Sequence, residues 1–263
     1  VGTIPSISVS PNIIICPGAI ATLTAAGALT YSWTPSTGLN TTTGSSVNTN
    51  IGSPVTYTVI GSSGALCNDT AYITIDLHTP PVVLSTPSNA ICNGDSVTLT
   101  ALGANTYSWS TSSGANTWTG ESIDVAPTIT TLYTTIGTDA NGCTNSVTTT
   151  ITVNNIPNSN AGNNITITAG GNTILLGAGG TWYTWFPATG LSCTTCANPT
   201  ANPQISTTYY VVVTDDNGCT NIDSVIVDVI AECGQIFIPN VFSPNGDGQN
   251  DRLYAIEESR CIK

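Results

Sequence analysis

The feature that most constrains this chain is a repeat of 76 residues, kept without a gap over three copies. Tyr31 and Trp33 recur as Tyr107 and Trp109, then as Tyr183 and Trp185. Tyr57 recurs as Tyr133 and Tyr209, and Cys67 as Cys143 and Cys219. Self-similarity at a fixed period means that one small unit is built several times, each unit needing its own buried face.

Inside each copy, apolar and polar residues alternate over short runs: Ala21–Ala25 (ATLTA), Thr56–Ile60 (TYTVI) and Tyr72–Leu77 (YITIDL) in the first. Alternation of period two over runs of this length marks half-buried strands, and no segment shows helical spacing. Asp139–Gly142 (DANG) and Asp215–Gly218 (DDNG) sit between β-branched runs, where Asn and Gly tolerate the positive φ of a hairpin turn. Sheets this small need a second apolar face to cover them, and each copy supplies one tryptophan for the space between: Trp33, Trp109 and Trp185. The expected fold is all-β, a tandem array of three immunoglobulin-like β-sandwich repeats followed by the beginning of a β-rich C-terminal domain. The Pro-containing junctions His78–Pro81 (HTPP) and Asn154–Pro157 (NNIP) place the repeats at 1–77, 78–153 and 154–231, with the C-terminal domain opening at 232–263.

The charge pattern excludes several functions. The formal net charge is −12, and the only basic residues besides His78 are Arg252, Arg260 and Lys263. The resulting negative potential repels phosphate backbones and anionic lipid, so neither nucleic acid nor membrane insertion is expected. No apolar run approaches the ~18 residues a spanning helix needs. Val1–Pro11 lacks the basic start and apolar stretch of a signal peptide, so a secreted parent is expected to extend upstream or to have been processed. Catalysis needs a positioned acid, base or nucleophile; with His78 the single histidine and no Lys or Arg in the repeats, no such set is expected, and no enzyme.

Nine cysteines in so polar a chain argue for an oxidising, extracellular compartment. Cys16 and Cys67 are 51 residues apart, and Cys92 and Cys143 are separated by the same 51, so each pair is expected to close within its own repeat. A loop of that length restricts the unfolded chain by roughly 4 kcal/mol in the chain-entropy account. In the third copy Thr168 stands where Cys16 and Cys92 stand, which leaves Cys219 expected to be free or bonded to residues beyond this chain. Cys193 and Cys196 form a CxxC pair without a second CxxC, a ligating His or a following helix; a local structural disulfide fits better than a metal or redox site. Cys233 is expected to pair with Cys261.

From Cys233 the texture changes, and Ile236–Leu253 reads IFIPNVFSPNGDGQNDRL. This run closely resembles the start of the gliding-motility-associated C-terminal domain of Bacteroidota, with its FxPNxFSPNGDGxND hallmark. The repeats, with C-P-G or C-N-G before an alternating strand, then YSW, resemble the immunoglobulin-like repeats that accompany that domain in large adhesins. The resemblance implies a cell-surface protein exported by the type IX secretion system, with that machinery or a surface attachment apparatus as partner. Asn245, Asp247, Gln249 and Asp251 present oxygen side chains at every second position, a spacing that fits a calcium loop; an ion-free Asx-rich turn fits it equally, and no other cofactor is expected. Thr70, Ser96 and Ser224 lie in Asp-Ser/Thr-small tripeptides resembling Bacteroidota O-glycosylation sites, although an acidic then hydroxyl pair also opens strands for structural reasons.

The function expected is a non-catalytic structural stalk of a surface adhesin or filament. Two alternatives stand beside it. Trp118, Trp182 and Tyr210 lie outside the repeated core positions and offer an aromatic platform for glycan. Strand edges without the Lys residues that block edge pairing suit self-assembly into a fibre.

Overall fold

The computed structural model describes residues 4–64 and 67–230. Among these every regular element is a β-strand, and the chain divides into two compact units between Val153 and Asn154. The copies are immunoglobulin-like sandwiches with three separate hydrophobic clusters, one drawn from each copy.

In the first copy one sheet runs in the order Ser8–Val9, Ile20–Ala26, Ser46–Asn50, and the facing sheet in the order Ile13–Ile15, Asn68–Leu77, Val55–Ser62, Thr30–Thr34. The opening segment serves both sheets. It pairs antiparallel with Ile20–Ala26, crosses over at Pro11 and Asn12, and then lies parallel to the last strand, Ile15 opposite Leu77. Proline has no N–H to give to a ladder, so it sits naturally at such a crossing.

The second copy repeats the plan: Ser122–Val125, Val97–Leu102 and Leu84–Ser85 face Thr117–Thr119, Thr106–Thr111, Thr131–Thr138, Thr144–Asn154 and Asn89–Cys92. In the third, Ile165–Thr168, Thr220–Ile230, Thr207–Thr214 and Trp182–Phe186 face a pair of two-residue strands, Thr173–Ile174 and Thr200–Ala201.

The alternation read from sequence sets the inner face. Tyr57, Val59, Ile73 and Ile75 are fully buried while their neighbours Tyr72 and Ile60 face outward. Each buried aliphatic side chain contributes about 1.5–3 kcal/mol. The three core tryptophans are at most 3% exposed and hold one register, Trp33 opposite Val59, Trp109 opposite Thr135 and Trp185 opposite Val211. A buried indole N–H needs an acceptor, and it finds one eleven residues on in every copy: the carbonyls of Gly44, Gly120 and Cys196, at 2.9, 2.9 and 3.0 Å. The second repeated aromatic closes its own turn. Tyr31 and Tyr107 hydroxyls donate to the carbonyls of Ala28 and Ala104 and accept the amides of the same residues.

Candidate functional site: the junction between the first two repeats

One disulfide sits where the first repeat meets the second. The last strand of the first repeat, Asn68–Leu77, runs toward the linker, and Ile13–Ile15 lies parallel to it, so Cys16 emerges beside the linker. The amide of His78 donates to the Ile15 carbonyl at 2.9 Å, fixing the first linker residue against that strand end.

The other half of the junction is the hairpin that joins Thr131–Thr138 to Thr144–Asn154 in the second repeat. Because the final strand of a repeat leaves from the C-terminal end, this hairpin stands at the N-terminal end and faces the preceding repeat. Asp139 Oδ1 accepts the amides of Asn141 and Cys143, both at 2.9 Å, and Gly142 takes φ 81° to close the turn. Asn145 Nδ2 then donates to the Pro81 carbonyl at 3.0 Å, tying the hairpin base to the far end of the linker.

Across this junction Cys16 bonds Cys143, with Cα atoms 5.3 Å apart and 127 residues between them. Cys143 is 1% exposed. Closing a loop of that length restricts the unfolded chain by about 5 kcal/mol in the chain-entropy account. The link therefore joins two sandwiches and braces neither from within.

This corrects the pairing expected from spacing, Cys16 with Cys67 and Cys92 with Cys143. Cys67 precedes the ten-residue strand Asn68–Leu77 and Cys16 lies at its other end. At ~3.3 Å per residue the two stand about 30 Å apart, whereas a disulfide needs Cα atoms within roughly 7 Å. Cys67 is a free thiol, half-buried in its hairpin. Cys219, expected to lack a partner in this chain, is disulfide-bonded, as is Cys92.

Cys193 is joined to Cys196. The loop they close is the one whose Cys196 carbonyl receives the Trp185 indole, so the link holds the lid of the third core in place. Thr70, Ser96 and Ser224 are all exposed. The aspartates before them have structural work: Asp69 Oδ2 accepts the Ile7 amide at 3.0 Å, Asp95 Oδ2 that of Cys92 at 3.2 Å, and Asp223 Oδ2 that of Ala161 at 2.8 Å. The amides of Ile7 and Thr70 hold the Asp69 carboxyl below the usual carboxylate range. Asn245, Asp247, Gln249, Asp251, Cys233 and Cys261 lie outside the described residues. No cluster of three or more His, Cys, Asp or Glu suited to a metal occurs among the described residues, and no helix there is long and apolar enough to cross a membrane.

The aromatic residues divide. Trp182 and Tyr210 lie on the outer face of one sheet of the third repeat, 56% and 40% exposed, with Phe186 stacked on Tyr210 at 5.4 Å. Sequence reasoning misses Phe186; its place two residues after the outward Thr184, out of phase with the buried Trp185, is the signal that finds it. Trp118, in the second repeat, packs against Tyr133 at 6.0 Å and lines a cleft there with Asn116, Asp124 and Thr131.

No protein-family model matches the chain, and no curated protein matches it. Among solved structures it is similar to a Ca2+-stabilized adhesin that helps an Antarctic bacterium bind ice: 14% identity over 90% of this chain and 76% of that one, TM-score 0.36. It is also similar to the I9–I11 tandem of titin, at 11% identity over 86% of this chain and all of that one, TM-score 0.35. A 1.5-MDa bacterial ice-binding adhesin gives 14% identity over 87% and 99%, TM-score 0.34. Superpositions this loose carry no argument; the fold rests on the sheets described above.

Proposed function

We propose that this chain is a non-catalytic, length-holding segment of an extracellular surface protein, a stalk of immunoglobulin-like repeats at 1–77, 78–153 and 154–231 leading into the start of a C-terminal sorting domain at 232–263. The observation that carries the reading is the Cys16–Cys143 bond: a covalent tie from one repeat to the next serves to fix their relative position, which neither a catalyst nor an isolated binding module requires. Persistent disulfides place such a protein in an oxidising compartment. The near-absence of Lys and Arg adds resistance to proteases that cut at those residues. Export by the type IX system and attachment at the cell surface follow from the resemblance of residues 236–253, and calcium held by Asn245, Asp247, Gln249 and Asp251 belongs to the same proposal.

Small-angle X-ray scattering of the whole chain, with and without reductant, tests the stalk. A narrow distribution of long dimensions that broadens on reduction supports it; identical profiles overturn it. One observation favours a second reading, a glycan-binding face: outward Phe186 and Tyr210 stack on one another, and Trp182 is exposed on the same sheet face, the kind of side chains sugars stack on. Signal on a glycan array that is lost in Trp182→Ala supports that reading, and an empty array removes it.

A further inference from the structure

The disulfide at the first junction uses one position from the linker end of a repeat and one from the hairpin at the start of the next. Cys67 is the first repeat's copy of that second position, one period before Cys143. It stands in the hairpin between Val55–Ser62 and Asn68–Leu77, held by the Ser63 amide on its carbonyl at 3.1 Å. Where Cys143 is buried at 1% exposure by its bonded neighbour, Cys67 remains half-exposed and is a free thiol.

A separate observation points to the same partner. Ile4–Pro5 repeats Pro80–Pro81 and Ile156–Pro157, the linker residues that follow the last strand of a repeat. Pro5 is buried, as Pro81 and Pro157 are. The receiving side of a junction is therefore present at the first repeat in both its parts, linker proline and hairpin cysteine.

We infer that Cys67 is the docking point for a further repeat of the same kind, whose cysteine in a C-P-G or C-N-G turn forms an inter-repeat disulfide with it. The inference rests on reading the chain as part of a repeat array. The donor repeat comes from earlier in the same polypeptide or from a second chain; the chemistry that recognises it is the same. In the step, an external disulfide oxidant such as oxidised glutathione first forms a mixed disulfide with the Cys67 thiolate, releasing one reduced thiol. The incoming thiolate then displaces the second, so two protein thiols give up two protons and two electrons and one oxidant disulfide becomes two thiols.

The test is a chain in which a further copy of residues 78–153 is fused ahead of Gly2, in the register of the repeat, and refolded with oxidised and reduced glutathione. Alkylation and peptide mapping should find Cys67 protected and joined to the added copy's cysteine, and fully alkylated when that donor is changed by Cys92→Ser in the added copy only. The unfused chain carrying Cys143→Ser, in which Cys16 is released as a donor, is mixed with the same oxidant and reports the second source: a dimer linked from Cys67 to Cys16 marks capture of another chain. Cys67 still alkylated in the fused chain, or joined only to a second Cys67, overturns the inference. Because Cys16–Cys143 is mapped in the same digest, its presence beside an unbonded Cys67 sinks this inference alone, and its absence sinks the array reading as well.

Discussion

Comparing one position across the copies turns the repeat into an internal set of controls. Opposite the core tryptophan stand Val59, Thr135 and Val211, and Thr135 is fully buried with no hydrogen-bond partner for its Oγ1 among the described residues. Valine has nearly the same shape without the unsatisfied hydroxyl. Thr135→Val is expected to stabilise the second repeat by about 1–2 kcal/mol, read as a rise in the chemical-denaturation midpoint with unchanged slope. A neighbouring site shows compensation in size. A Cβ on Gly137 would meet Val83 Cγ2 at 2.6 Å and Ala104 Cβ at 2.8 Å, and in the third copy the corresponding residues are Val213, Ser159 and Gly180, so bulk has moved from two positions to one. Gly137→Val alone is expected to cost about 1–3 kcal/mol by overpacking. Adding Ala104→Gly and Val83→Ala should recover more than half of that in the same denaturation measurement; simple additivity of the three costs would contradict the account.

At the scale of elements, the strand carrying Tyr57, Tyr133 and Tyr209 shows how one motif is reused and altered. Tyr57 and Tyr209 hydroxyls donate to the carbonyls of Thr37 and Thr189 at 2.6 and 2.8 Å, pinning the loop that follows the tryptophan strand. In the second copy that loop is replaced by a tight turn at Gly114 and the strand Thr117–Thr119, and Trp118 packs on Tyr133 instead. Burial raises the Tyr133 and Tyr209 phenols above the ordinary value of 10.0. A raised acid favours the neutral form in the folded state, so its contribution is complete below pH 10 and is lost as pH rises through the folded value. Thermal melts between pH 8 and pH 11 should therefore show stability falling above about pH 10. Tyr209→Phe should flatten part of that fall while lowering stability at pH 8, because the Thr189 carbonyl loses its donor. The strands, the hairpin turns and the tryptophan core were legible in the sequence, since alternation and turn chemistry act locally. The replacement of the loop in the second copy was not: Ser110 and Thr111 mark where the copies diverge, but only the fold shows that Trp118 fills the gap.

For the whole molecule, what spacing misassigned was the partners of Cys16 and Cys143, and the repeat itself is the reason. A period of 76 maps Cys67 onto Cys143, so pairing Cys16 with either is equally consistent with the spacing. The decision is made by strand direction, which puts Cys16 and Cys67 at opposite ends of one sandwich and Cys16 and Cys143 at one junction. It changes what the disulfide does. A bond inside a repeat compensates for a small core; a bond between repeats leaves each core to hold itself and restricts how the two move. Fully buried Trp109, Leu99 and Ile151 in the second repeat, and Tyr57, Ile73 and Ile75 in the first, show cores complete without sulfur. Peptide mapping without reduction, after cleavage on the C-terminal side of Tyr and Trp, tests this most directly because Tyr31 and Trp33 separate Cys16 from Cys67. The peptide carrying Cys16 should be recovered joined to the one carrying Cys143, with Cys67 alkylated; recovery of Cys16 joined to Cys67, and Cys92 joined to Cys143, would contradict the account.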